Sequence, residues 1–168
     1  DGIFNFDLIK NIKQFPHAPL FEALGFDIKN EKELIKNYIK VQESINQKNS
    51  TQFLKTHSYL FNIEGNGFTD LNNTLGVIYI VRDPRNVVTS LANFLDISIT
   101  KATDHLIQSP YIGGISNSNK IEEIMKTYTG TWSGNFNSWK SFKSNRKYLL
   151  IKYEDLIFNK EENLKKIL

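Results

Sequence analysis

Apolar positions recur at helical spacing between Glu31 and Gln47. Leu34, Ile35, Tyr38, Ile39, Gln42 and Ile45 track one face, with lysines opposite, which predicts an amphipathic helix. A different pattern fills Leu75–Val81, Leu-Gly-Val-Ile-Tyr-Ile-Val. A continuous β-branched run of this kind suits a strand covered on both faces in a parallel sheet. Tyr148–Tyr153 has the same character. After the first of these runs Asp83 is placed as an N-cap and Pro84 as a first helical residue, and Val87, Val88, Leu91, Ala92 and Leu95 continue the helix. Further helices are expected around Ile121–Tyr128, ended by Gly130, and from Asn163 onward. Trp132, Phe136, Trp139 and Phe142 also fall at helical spacing, a stripe better suited to a core than to acceptor contact. Thr51–His57 reads as a brief strand and Asn62–Asn73, rich in Gly and Asn, as a loop. Residues 96–118, with Pro110 and Gly113-Gly114, read as irregular and as a surface lid. Phe4–Lys13 is a short run, apolar on one side, followed by Pro16 and Pro19. Strands alternating with helices predict an α/β domain with a mostly parallel sheet.

Composition narrows this picture only slightly. A chain of 168 residues is one domain by length. A net charge of +3 without a dense Lys/Arg run permits an anionic ligand but does not announce nucleic acid. No apolar stretch is long enough to span a membrane. The absence of cysteine removes disulfides, thiolate metal sites and thiol nucleophiles, and it fits a reducing compartment, so a cytoplasmic location is expected. Asn49-Ser50-Thr51 and Asn72-Asn73-Thr74 match the glycosylation pattern, for which chance in an Asn-rich chain without a secretion signal is the better account. The chain opens at Asp1 without Met and stops at Leu168 inside an amphipathic run, so it is expected to be an internal piece of a longer protein, a single domain incomplete at both ends.

Two constellations carry candidate chemistry. Arginine is scarce: only Arg82, Arg85 and Arg146 occur, and two of the three stand four residues apart or less. A buried strand delivers Arg82 to its carboxyl end, where open parallel sheets bind ligands. The helix that follows is expected to point free N–H groups at the same crevice, with Ser90 two turns in. A phosphate there could meet a forked guanidinium and a hydroxyl together. The same spacing equally allows Arg82 to pair with a nearby acid and Ser90 to face solvent. The second constellation is Lys55-Thr56-His57, ending the short strand. A histidine there can act as a general base because its ordinary pKa lies near neutrality, although a lone His is more often a hydrogen-bonded structural residue. His17 and His105 end no predicted strand, and the three histidines are too scattered for a metal site.

Taken in order, these segments resemble the PAPS-dependent sulfotransferase superfamily. Lys55-Thr56-His57 is similar to that family's Lys-Thr-His segment. Tyr79-Ile80-Val81-Arg82-Asp83-Pro84-Arg85-Asn86-Val87-Val88-Thr89-Ser90 resembles its 3′-phosphate-binding motif. Gly130-Thr131-Trp132 with Trp139 resembles its Gly-Ser-Trp…Trp segment, and Leu149–Leu156 its Tyr-Glu-Asp-Leu strand end. The match runs from about Lys55 to Leu168. Three departures stand out. Nothing in residues 1–50 resembles the family's Lys-Ser-Gly-Thr-Thr-Trp phosphosulfate loop, the family's C-terminal Arg-Lys-Gly…Gly segment has no counterpart in the sequence, and Asn135 stands where many relatives carry His.

The resemblance implies a P-loop-containing nucleotide hydrolase-like three-layer fold, with a central mostly parallel sheet flanked by helices. It implies transfer of a sulfuryl group from PAPS to a hydroxyl or amine acceptor, a small molecule or a carbohydrate, with release of PAP and no metal. His57 would be the catalytic base and Lys55 would offset charge near the transferring group. Arg82 and Ser90 would hold the 3′-phosphate, and Tyr153 would lie by the adenine. Residues 4–26 and 96–118 are the expected acceptor contacts, since variable loops set specificity. The rival readings are a non-catalytic PAP- or nucleotide-binding fragment and another P-loop transferase such as a small-molecule kinase.

Overall fold

In the computed structural model, residues 12–47, 51–108, 126–144 and 147–167 are described, and they divide into two units. One comprises 12–74 with 126–129, and the other 75–108 with 130–167.

In the first unit, β1 (Lys13–Gln14) pairs in parallel with β2 (Leu54–Lys55). The short helix α1 (Ala18–Glu22) starts with Pro19 in its first turn, where a missing N–H costs nothing. Helix α2 (Glu31–Asn46) starts where Asn30 accepts a hydrogen bond from the Glu33 N–H, at 3.3 Å. Glu31 and Glu33 in its first turn complement the helix dipole. The predicted helix at 31–47 is therefore present, but its buried face is Leu34, Ile35, Tyr38, Val41 and Gln42. Gln42 is buried because its amide is fully used. It donates to the Phe68 carbonyl at 2.5 Å and accepts from the Thr69 hydroxyl at 2.6 Å. Around Tyr38 pack Phe15, Phe21, Phe61 and Phe68, with ring centroids 5.2–5.9 Å from the tyrosine ring. Burying each such ring stabilises the fold by roughly 1.5–3 kcal/mol, and edge contacts add about 0.5–1.5 kcal/mol per pair.

The segment Asn62–Asn73, expected to be a loop, contains a tight hairpin of β3 (Asn62–Ile63) and β4 (Asn66–Gly67). Glu64 and Gly65 both have positive φ, 52° and 81°, which is the twist a two-residue hairpin needs. The expected strand at Thr51–His57 is reduced to Leu54–Lys55, extended by the Phe15 N–H donating to the Lys55 carbonyl at 2.8 Å.

In the second unit, β5 (Gly76–Val81) and β6 (Lys147–Lys152) pair in parallel along their whole length, in the register Val81 beside Lys152. Helix α3 (Pro84–Leu95) starts at Asp83 and Pro84 as predicted, and ends at Asp96 in the left-handed region at φ 52°. The next stretch corrects an expectation. Residues Ile99–Gln108 form a helix, α4, not an irregular lid. Ser98 caps it by accepting from the Lys101 N–H, and Ala102 is its fully buried contact. Ile99, Thr100 and Thr103 are β-branched, which obscures the helical signal in the sequence. The remainder of the expected lid, 109–118, lies outside the described residues, as does 121–125 of the helix expected at Ile121–Tyr128. Lys126, Thr127 and Tyr128 are described and are not helical.

Thr131 caps α5 (Trp132–Lys140) by accepting from the Gly134 N–H at 3.1 Å. Trp139 and, in the 3₁₀ turn Ser141–Ser144, Phe142 are buried, as the aromatic stripe predicts. Phe136 packs on Tyr79 of β5 at 5.7 Å, and the Tyr79 hydroxyl donates to Asn135 Oδ1 at 2.9 Å. Helices α6 (Tyr153–Phe158) and α7 (Lys160–Ile167) follow β6. The Asn163 amide donates to the Asp155 and Asn159 carbonyls and ties the corner between them. Helices with parallel strand pairs make this an α/β protein. Its described sheet consists of three separate two-stranded pieces.

Candidate active site

Arg82 is the residue after β5, and Tyr153 is the residue after β6. Because the strands are neighbours in parallel register with Val81 opposite Lys152, both chains leave the sheet at the same level. The two side chains meet there. The Arg82 guanidinium carbon lies 4.6 Å from the centroid of the Tyr153 ring, a cation–π contact. Tyr153 keeps 36% of its surface exposed, so part of it remains open to a ligand. Arg82 is half-buried, and its Nε is buried without a hydrogen-bond partner among the described residues. The acid pairing that the sequence left open for Arg82 is not made with any described residue.

Arg85 behaves in the opposite way. It grips Asp83 through Nε at 3.0 Å and Nη2 at 2.5 Å. These bonds, with the one from the Arg85 N–H, hold the Asp83 carboxyl down at about 2. Arg85 is thus paired within its own turn at the surface, whereas Arg82 Nε is left without a hydrogen-bond partner among the described residues.

The start of α3 departs from expectation. Pro84 has no N–H, the Arg85 N–H donates to the Asp83 carboxylate at 2.9 Å, and the Asn86 and Val87 N–H groups donate to the Asp83 carbonyl at 3.0 Å. The helix end therefore offers no free donors in its first turn, since Asp83 has already used them. An anion would depend on side chains. Ser90 is exposed two turns into α3, and its side chain bonds to no described residue.

Lys55 and His57 belong to the other unit. Lys55 ends β2, and His57 follows two residues later in a turn closed by the Ser58 N–H donating to the Thr56 hydroxyl at 3.0 Å. His57 reaches solvent, yet the chain around it strips enough water from the imidazole to lower its pKa below the ordinary 6.5. The neighbouring Lys55 charge acts in the same direction. Both causes keep the ring neutral, the form that accepts a proton. His105 lies in α4 with Nδ1 buried and unpartnered among the described residues, and His17 precedes α1. Among the described residues no three His, Cys, Asp or Glu side chains come together as a metal site. No described helix is long and apolar enough to cross a membrane.

Sequence reading did not single out Glu154, half-buried next to Tyr153, whose Oε1 is buried without a hydrogen-bond partner. Nor did it pick out Tyr128 and Glu31, which are bonded to each other across 97 positions. A polar residue beside a strand end is a usable signal for Glu154. No local pattern signals a pairing as distant as that of Glu31 and Tyr128.

The family model for the sulfotransferase domain matches residues 5–168. The chain belongs to the sulfotransferase domain family. It is a transferase that moves a sulfuryl group from PAPS. No curated protein matches the chain.

Proposed function

We propose that Arg82, Ser90 and Tyr153 hold the 3′-phosphoadenosine end of PAPS and that His57 and Lys55 serve the reacting end. The observation that carries this reading is Arg82. It is a strand-end guanidinium with a buried, unpartnered Nε, stacked on a half-open tyrosine ring. A buried donor without a partner carries a free-energy cost that an incoming anionic oxygen would remove. The Tyr153 face beside it suits a flat base. PAPS supplies the activated sulfuryl group. The chain's own residues bind, orient and handle the proton.

The neutral His57 imidazole would take the proton of a hydroxyl or amine acceptor as the new bond to sulfur forms and the bond to the bridging phosphate oxygen breaks. Lys55 would balance the negative charge that gathers on the departing PAP. The 3′-phosphate lies far from the reacting sulfur, so its binding energy serves to position the reacting end. The acceptor in this reading is a small molecule or carbohydrate, and the scaffold is the P-loop-like three-layer arrangement in one domain. The parallel pair β5–β6 with its flanking helices supports that scaffold. A cytoplasmic location agrees with the cysteine-free composition.

Calorimetry with PAP tests the central claim. Losing hydrogen bonds to a charged group costs about 1.5–3 kcal/mol, so Arg82→Ala is expected to bind PAP about 10- to 150-fold more weakly. Equal affinity in the variant would remove Arg82 from the site.

A further inference from the structure

Tyr128 joins three parts of the first unit. Its carbonyl accepts the Tyr59 N–H at 2.9 Å, two residues beyond His57. Its ring packs on Phe61 at 5.5 Å, and Phe61 in turn packs on Tyr38 of α2 at 5.2 Å. Its hydroxyl donates to Glu31 Oε1 in the first turn of α2. The other Glu31 oxygen accepts from Lys126 Nζ at 3.0 Å, and the same ammonium lies 5.7 Å from the Tyr128 ring centroid. With 6% of its surface exposed, Tyr128 is a buried side chain.

These contacts reach the turn that carries His57 from one direction. Ahead of His57 the chain is pinned by β2 on β1, and Ser58 beside it is fully buried. Beyond it the backbone is anchored by the Tyr59–Tyr128 bond. Tyr128 is itself held by a charged hydrogen bond to the longest helix of the unit, an interaction stronger than a neutral one. We infer that Tyr128, locked by Glu31, is a positioning residue that fixes the turn bearing His57. The inference rests on the reading of His57 as the base. It adds a latch from residues that no local motif links to the reaction.

The electrostatics agree with a permanently closed latch. The bond from Tyr128 and then that from Lys126 lower the Glu31 pKa, keeping it an acceptor. Burial, followed by the bond to Glu31, raises the Tyr128 pKa, keeping it a donor. Tyr38 and Tyr59 are the other titratable groups that face Tyr128. Glu31 is thereby held as the acceptor and Tyr128 as the donor, so the latch is a fixed support and not a switch.

The test uses the full chain and Tyr128→Phe, which keeps the ring and removes only the hydroxyl, alongside Glu31→Gln and Glu31→Ala. Tyr128→Phe and Glu31→Ala are expected to lower kcat about tenfold while KM for PAPS stays within twofold, because small misplacements of a reacting group carry large rate costs. Glu31→Gln keeps an acceptor oxygen and is expected to restore most of the rate. Two NMR readouts do not depend on activity. Faster amide exchange at Tyr59 and a His57 pKa moved toward the ordinary 6.5 are expected in Tyr128→Phe. Wild-type exchange and an unmoved His57 pKa in the variant would overturn the latch. A His57→Ala variant run beside these separates the two claims. If it keeps full activity, the base assignment fails, and the NMR readouts still decide the latch.

Discussion

The two units place their candidate residues by different means. The aromatic unit is built around buried rings: Phe21 and Tyr38 are 0% exposed and Phe15 and Phe61 2%. Its candidate reacting residues, Lys55 and His57, sit on a short strand end and a turn, and precision there depends on packing. The strand-end unit buries Ile151 of its ladder, at 3% exposed, but leaves other ladder residues open. Ile80 is 50% exposed and Leu150 46%, although both lie in the six-residue parallel ladder. Its candidate binding residues Arg82 and Tyr153 are placed by backbone register, each one step past the end of adjacent strands. The candidate phosphate-binding pair thus rests mainly on the register of two strands, whereas the candidate base is backed by an aromatic core.

The sharpest way to break this division is His57→Ala. Loss of a positioned base is expected to lower kcat by about 10²–10⁴-fold while PAP affinity, read by calorimetry, stays within twofold. A parallel loss of PAP binding would mean that one region does both tasks. Next in size is Phe61→Ala, which removes a ring at the junction of the aromatic cluster. Thermal or denaturant unfolding is expected to show a loss of about 3–5 kcal/mol. Ile80→Ala in the exposed ladder is expected to cost far less, and equal losses would erase the contrast in packing. Thr131→Ala removes the cap of α5 in the strand-end unit, and a loss of about 1 kcal/mol is expected in the same measurement.

The smallest effect concerns pH. A base works when neutral, so the rate rises as pH rises through its pKa. With that pKa lowered by burial and by Lys55, the acid limb of kcat/KM is expected below pH 6.5. Lys55→Ala removes the smaller of the two causes. The limb should then move upward but remain short of 6.5. A limb at 6.5 or above in the unaltered protein would mean that His57 is not the titrating base.

Much of this protein was legible without coordinates where a local rule suffices. The apolar run into Arg82, the Asp83-Pro84 helix start and the face of residues 31–47 follow from side-chain periodicity and capping, which act within a few residues. The helix at Ile99–Gln108 was hidden because its β-branched residues mask the period and its cap is a lone Ser98. The order of Lys55, His57, Arg82, Ser90 and Tyr153 along the chain carried the resemblance to sulfotransferases, and the family match over residues 5–168 agrees with it.

Other features depended on groups distant in sequence. The sequence left open whether Arg82 pairs with an acid, and only the folded turn showed that Asp83 takes Arg85 and the helix donors while Arg82 keeps an unpartnered Nε. The meeting of Arg82 with Tyr153 required the register of β5 on β6, and the bond of Glu31 to Tyr128 required α2 to pack beneath a segment 97 residues away. Sequence determines local conformation because backbone sterics and capping are short-ranged. Which polar groups remain free for a ligand is decided by tertiary structure, because it depends on every neighbour that could have used them.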